Sequence, residues 1–303
     1  MSFNPLANGP ALCVIGGGRM GPALAWALQQ AGFPVKALVV RSPQRRQFLQ
    51  RLFPPQTLVD SVKPEMIAPV DLIGLAVPDD AVAEVAAHLA TFPVDWPHKF
   101  VFHLSGVLDS SVLEPLSRQG AAVFSWHPIL SVSADDPRQV TFADAYADVE
   151  GMPSGIDMAR KISTALHMHT LEVTPERKRA LHLAAVVFAN FLVGVAADIQ
   201  VLFQKLELPP DISVKPFVPL IRSTLTNLQE SDPATALTGP VRRGDANTVR
   251  HHLQLLKQHH ADHLQQVYRL ISQRLLSLAA EAGLSAEARQ ALQEVLTDVG
   301  SDS

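Results

Sequence analysis

Apolar runs bounded by turn residues alternate with helical patterns through the first half of the chain. Residues 11–15 (ALCVI), 35–40 (VKALVV), 71–77 (DLIGLAV), 100–104 (FVFHL) and 121–125 (AAVFS) read as strands. Between them, 22–31, 44–52, 80–91 and 108–119 have helical periodicity. Near-continuous apolar strands that alternate with helices indicate a parallel sheet covered on both faces. Residues 155–166 add an amphipathic helix and 169–173 a last strand. From Pro175 onward only helical periodicity remains, over 175–206, 211–229, 245–258, 260–283 and 285–298, with breaks at Pro209-Pro210, Gly239-Pro240 and Gly283. The pattern predicts an α/β domain over 1–174 and an all-helical domain over 175–303.

One stretch, 183–203 (LAAVVFANFLVGVAADIQVLF), has about the ~20 residues that a membrane span needs. Asn190, Asp198 and Gln200 interrupt it and no second such stretch exists, so the expectation is a helix buried in a large core or a subunit interface.

Composition fits this picture. A chain of 303 residues, 47% hydrophobic and 18% charged, is long and apolar enough for two globular cores. The net charge of -4 argues against nucleic acid or an anionic membrane as main partner. The single cysteine, Cys13, excludes an internal disulfide and a cysteine-built zinc site. The N-terminus lacks a basic region followed by a long apolar run, which leaves the cytoplasm as the expected location. Charge is unevenly placed. Residues 1–59 hold Arg19, Lys36, Arg41, Arg45, Arg46 and Arg51 and no acid before Asp60, which points to an anionic ligand near this end.

That end also carries Gly16-Gly17-Gly18-Arg19-Met20-Gly21, a G-x-G-x-x-G pattern directly after a strand and at the start of a helix. Gly16 suits the tight turn, Gly18 the approach of a pyrophosphate, and Gly21 close packing of helix on strand. Arg19 and Met20 lie in the same turn, and the helix start offers free N–H groups to a phosphate. The pattern predicts a dinucleotide site. After the second strand an Asp or Glu would select NAD; the chain has Arg41, Ser42 and Arg45 there instead. Two charge-assisted bonds to a 2′-phosphate, about 1.5–3 kcal/mol each, predict NADP(H) as cofactor. One of Arg45 and Arg46 is expected to be merely solvated.

Ligands sit at the carboxyl ends of such strands. Val77-Pro78, Ser105-Gly106 and His127-Pro128 occupy those ends, whereas His103 reads as a strand histidine paired with a neighbour. In the helical half, His182 and Asn190 are eight residues apart, some ~80° and ~12 Å on a regular helix, so one extended ligand could span both. Asn190 is open to two readings, a substrate-binding amide or an interhelix bond. In 238–245 (TGPVRRGD), one of Arg242 and Arg243 is a candidate for an anionic substrate. His251, His252, His259, His260 and His263 lack the third ligand and the H-E-x-x-H spacing of a zinc helix, and no metal is expected.

The segments VIGGGRMGPALAWAL, LAVPDDAV, HLSG, SWHPILS, HLAAVVFANF and LTGPVRRGD resemble the bacterial Rossmann-like oxidoreductases with a C-terminal domain of unknown function. That family is similar to pyrroline-5-carboxylate reductase, ketopantoate reductase and the 3-hydroxyacid dehydrogenases. The resemblance implies a doubly wound Rossmann sheet, a helical C-terminal domain, a homodimer formed through it, and for some members a ketopantoate reductase-like activity. The hydroxyacid dehydrogenases place a Lys one turn before an Asn on the first C-terminal helix. Here that position is Val186, and Lys178 stands about three turns before Asn190.

The resulting expectation is NADPH-dependent reduction of a small, anionic carbonyl or imine compound. Ser105 and Asn190 would orient, His182 or His127 would donate the proton, and Arg243 would hold a carboxylate. The alternative is a non-enzymatic NADP(H) sensor or dimeric scaffold, motivated by the missing Lys.

Overall fold

Alternate residues of the central strands go to two different cores, as a sheet covered on both faces requires. Leu12, Val14, Leu72 and Phe102 belong to one cluster; Cys13, Ile15, Ile73 and Val101 belong to the other. The computed structural model describes residues 9–209 and 212–298, so Pro210 and the start of the helix expected at 211–229 lie outside the described residues.

The sheet has eight strands: β1 (Leu12–Ile15), β2 (Val35–Val39), β3 (Leu58–Val59), β4 (Leu72–Leu75), β5 (Phe100–His103), β6 (Ala122–Ile129), β7 (Tyr146–Gly151) and β8 (His169–Glu172). Their order is β3-β2-β1-β4-β5-β6-β7-β8. Every pairing is parallel except β6 with β7. Order reverses between β1 and β4, which is where doubly wound sheets open a ligand crevice. Helices α1 (Met20–Gln30), α2 (Pro43–Leu49), α3 (Pro64–Ile67), α4 (Asp79–Ala90), α5 (Glu114–Ser117) and α6 (Pro153–Ala165) complete the α/β region. The helix expected over 108–119 is a 3₁₀ turn at Ser110–Leu113 followed by α5. Pro115 has no N–H with which to continue the ladder.

Two strands were not legible as such. β3 has two residues, and β7 is hidden by Asp148 and Glu150, whose side chains are buried. β6 also runs four residues beyond its expected end. Past Ser125 it pairs only with β7, so Pro128 removes no ladder bond on the β5 side.

Helices continue with α7 (Pro175–Ala185), a π-helical turn (Val186–Asn190), α8 (Phe191–Lys205), α9 (Val218–Glu230), α10 (Pro233–Ala236), α11 (Pro240–Arg243), α12 (Ala246–Gln258), α13 (Asp262–Glu281) and α14 (Ala286–Thr297). The chain separates into two compact units between Val187 and Phe188, past the expected boundary at 174. The reason is local: Lys178 of α7 is fully buried against β7 and ties α7 to the sheet. In the second unit, Val241, Val249, Leu253, Leu276, Leu292 and Leu296 form the larger core.

The apolar run Pro175–Lys205 is long and apolar enough to cross a membrane by length and composition. It is not buried within the chain, as a core helix would be. Leu183, Phe188, Phe191 and Val193 are 63%, 72%, 59% and 70% exposed. Cys13, by contrast, is fully buried, and burial pushes its thiol up to about 12, so it stays protonated.

Candidate active site

The glycine turn is shaped by contacts that a side chain would destroy. A Cβ on Gly16, where φ is 134°, would stand 2.1 Å from the Ala76 carbonyl oxygen, and one on Gly21 would stand 2.1 Å from that of Gly16. A Cβ on Gly18 would meet nothing within 4 Å. The protein's own packing therefore does not require a glycine at position 18. The N-terminus of α1 has no side-chain cap, which leaves its N–H groups to an anion. These features fit a dinucleotide pyrophosphate. Gly18→Ala should keep the wild-type melting temperature and weaken nucleotide binding at least tenfold. Gly16→Ala should lower the melting temperature itself. Calorimetric titration and thermal unfolding of both variants check this.

The arginines divide by role. Arg45 donates from Nε to the Gly17 carbonyl (3.2 Å) and from its terminal nitrogen to that of Gly18 (3.1 Å), bracing the turn. Arg46 donates to the carbonyls of Val40 (2.6 Å) and Arg41 (3.0 Å), so it is a brace and not a solvated helix residue. Arg41 is exposed. Arg19 pairs at 3.1 Å with Asp135, a residue the sequence gave no reason to single out. Ser42 is the N-cap of α2, accepting from Arg45 N–H. Arg19, Ser42, Arg45 and Asp135, with Gly17, Gly18, Gln44 and Phe48, line a hollow of about 690 Å³.

At the strand ends, Val77 is half-buried and Pro78 precedes α4. Ser105 is nearly buried, and its hydroxyl oxygen accepts from the N–H groups of Val107 and Leu108 (3.1 and 3.0 Å), holding the turn. His103 is paired as expected: Nε2–H donates to the Asp109 carbonyl and Nδ1 accepts from Ser105 N–H. Burial, with the Lys178 charge nearby, lowers His103 to about 4. The unfolded chain takes up a proton on this imidazole near pH 6.5, whereas the folded chain takes it up near pH 4. Stability is therefore full above about pH 6.5 and falls by about 3 kcal/mol as pH drops to 4. Glu150, raised by burial, acts in the opposite sense. The difference between urea unfolding of wild type and of His103→Gln across this range isolates the histidine.

Beside them lies a chain of polar groups. β6 and β7 pair Ser125 with Glu150 and His127 with Asp148. Asp148 is 0% exposed. Its Oδ2 is 2.7 Å from His127 Nδ1, and its Oδ1 accepts from the Lys178 ammonium at 2.6 Å, also 0% exposed. An ionised carboxylate only accepts, so His127 carries its proton on Nδ1 and turns Nε2 outward from the pair. Glu150 accepts from Ser110 N–H and its hydroxyl (2.7 and 2.8 Å). The rings of His127 and His182 lie 5.6 Å apart. A Cβ on Gly106 would stand 2.3 Å from His182 Nδ1 and 2.9 Å from His127 Cε1, so only glycine lets the two imidazoles approach. Among the described residues, His182 Nδ1 is buried without a hydrogen-bond partner.

The structure thus brings His127, His182 and the Ser105-Gly106 turn together within the first unit. Asn190 and Arg243 belong to the second unit and are both exposed. The spacing expected between His182 and Asn190 does not apply, because the π turn between them breaks the regular helix. Arg242 donates to the Ala282 carbonyl at 3.1 Å, which leaves Arg243 as the exposed one of the two. His263 pairs with Asp198 and His252 with the Tyr268 hydroxyl. Sequence reasoning missed Asp148 and gave Lys178 no role. The signal available was the alternation of Ala147 and Val149 with Asp148 and Glu150.

Residues 8–128 match a Rossmann-like domain model, and residues 145–275 match DUF2520, a domain of unknown function. The chain joins a Rossmann-like domain to a DUF2520 domain. The DUF2520 match takes in Asp148, Lys178 and His182, and the Rossmann-like match takes in His127, so the polar chain draws on both. No curated protein matches by sequence. Among solved structures, a candidate NADP oxidoreductase from Bacteroides fragilis is 24% identical, with a TM-score of 0.71, covering 88% of this chain and 98% of its own. An imine reductase from Pseudomonas sp. is 19% identical, with a TM-score of 0.64, covering 94% and 99%. A reductive aminase from Aspergillus terreus, solved with NADPH and ethyl-5-oxohexanoate, is 16% identical, with a TM-score of 0.58, covering 96% and 93%. At these identities the likeness is one of fold.

Proposed function

We propose that this Rossmann-like/DUF2520 protein is an NADPH-dependent reductase of a small carbonyl or imine compound, working in the cytoplasm as a homodimer. The observation that carries the reading is the paired imidazoles of His127 and His182 beside the Ser105-Gly106 turn, with His127 anchored through Asp148 on Lys178. Such a partly buried, charge-anchored histidine on β6 is equipped to move a proton. Fold relatives that include an imine reductase and a reductive aminase solved with NADPH support the choice of reaction.

The residues present suit the cofactor: the open approach at Gly18, the uncapped start of α1, and Arg41, Ser42 and Arg45 beyond β2 as the cradle for a 2′-phosphate. Arg19, Met20, Val77 and Pro78 would flank it. A bound NADPH supplies the hydride. His127, when doubly protonated, gives its Nε2 proton to the oxygen or nitrogen that gains negative charge, and recovers one from water. His182 is the second proton donor to consider. Ser105 holds the turn beneath; Asn190 and Arg243, both exposed on the second unit, offer an amide and a cation to a substrate such as a ketopantoate-like 2-oxo acid.

The exposed apolar side chains of Leu183, Phe188, Phe191, Val193, Leu220 and Leu270 favour coverage by a second copy, since monomers rarely leave so much apolar surface bare. Light scattering tests the dimer. The function is tested by mixing NADPH with a panel of 2-oxo acids and cyclic imines and following its oxidation. Turnover lost in His127→Gln supports the reading. Tight NADPH binding without turnover on any of them overturns it in favour of a sensor or scaffold.

A further inference from the structure

Lys178 sends its whole side chain into the first unit and ends 2.6 Å from Asp148 Oδ1, with neither residue exposed. An ion pair buried this deeply gains little over apolar residues of equal volume, so stability does not explain it. Asp148 has two oxygens and two partners. One oxygen holds the ammonium and the other holds His127 Nδ1. The charges of Lys178 and Asp148 sum to zero, so the imidazole faces a carboxylate that is already balanced from its far side. Without the ammonium, the same carboxylate would attract the imidazolium at hydrogen-bond distance through a dry interior, where such attraction is several times stronger than in water.

The other charged and titratable groups around His127 do not supply that balance. Glu150 of β7 is a second carboxylate, bonded to Ser110. His103 of β5 is neutral at physiological pH. Asp109 faces Arg179 at 3.6 Å, and His182 of α7 carries its own ring against that of His127.

We propose that Lys178 is a positioning residue acting through Asp148. It takes up one carboxylate oxygen, cancels its charge, and so leaves the His127 Nε2 proton free to pass on, where an unbalanced carboxylate would hold the ring in its charged form more strongly. The inference rests on the reading of His127 as proton donor.

The test starts from nitrogen-15 NMR of histidine-labelled wild type, assigned with His127→Gln and needing no turnover. The neutral His127 is expected as the Nδ1–H tautomer. In Lys178→Met its titration midpoint should move upward by at least one pH unit. The pH profile of NADPH oxidation should move with it, while KM for NADPH changes less than twofold. Lys178→Gln, which removes the charge and keeps a polar group, replaces the methionine variant if that one does not fold. An Nε2–H tautomer in wild type, or an unmoved titration in a folded variant, overturns the proposal. A moved titration with an unmoved activity profile upholds the role of Lys178 and removes His127 as the donor.

Discussion

Asp148→Ala is expected to cost about 3–5 kcal/mol of stability. The substitution removes a small side chain, but it strands the Lys178 ammonium in a place with no exposure to water. An unpaired buried ammonium must either lose its proton or drag water inward, and both are costly near neutral pH. It also frees the Nδ1–H of His127 from its acceptor. Urea unfolding measures the loss. The double variant Asp148→Ala/Lys178→Met distinguishes this cause from simple loss of packing. With both charges gone, it should be more stable than Asp148→Ala. A double variant no more stable than the single one would show that the stranded charge is not the reason.

His127→Gln is expected to lower kcat by about two to four orders of magnitude on whichever substrate proves active, the range that a positioned proton donor contributes. Glutamine keeps a polar group near Asp148 but offers no proton that it can release. The affinity for NADPH should hardly change, because the glycine turn and the arginines that would bind it lie at the ends of β1 and β2. A fall in kcat with nucleotide binding intact identifies a chemical role, whereas a parallel loss of both would indicate a collapsed pocket. His182→Gln is the comparison. Its Nδ1 has no partner among the described residues, so a larger loss there would make His182 the donor.

The parts of the molecule that were legible in the sequence are those in which burial and polarity agree. Strands β1, β2, β4 and β5 are apolar on both faces, so their buried state and their composition give the same message. The glycine turn was legible for a similar reason: three positions in six residues tolerate little else, and geometry confirms the steric demand at Gly16 and Gly21. β7 escaped because its second face is carboxylate and buried, and buried carboxylates read as surface until their partners are known. Those partners, Lys178 and Ser110, are 30 and 40 residues away in sequence. The role of Lys178 was hidden by the same separation. Looking for it one turn before Asn190 follows the hydroxyacid dehydrogenase pattern, whereas here it bonds Asp148 of β7. The apolar helix was expected in a large core or a subunit interface; it is exposed within its own chain, because hydrophobicity reports a tendency to be covered and not what does the covering.

Cys13 gives the molecule a built-in reporter. It is the chain's single thiol, it sits on β1 between β2 and β4, and with a value of about 12 it is both hidden and unreactive while the sheet is closed. A thiol reagent can label it only when β1 separates from its neighbours. The rate of labelling therefore times the opening of the dinucleotide-binding half specifically, without added probes, and any ligand that seats on the glycine turn should slow that clock in proportion to how tightly it binds.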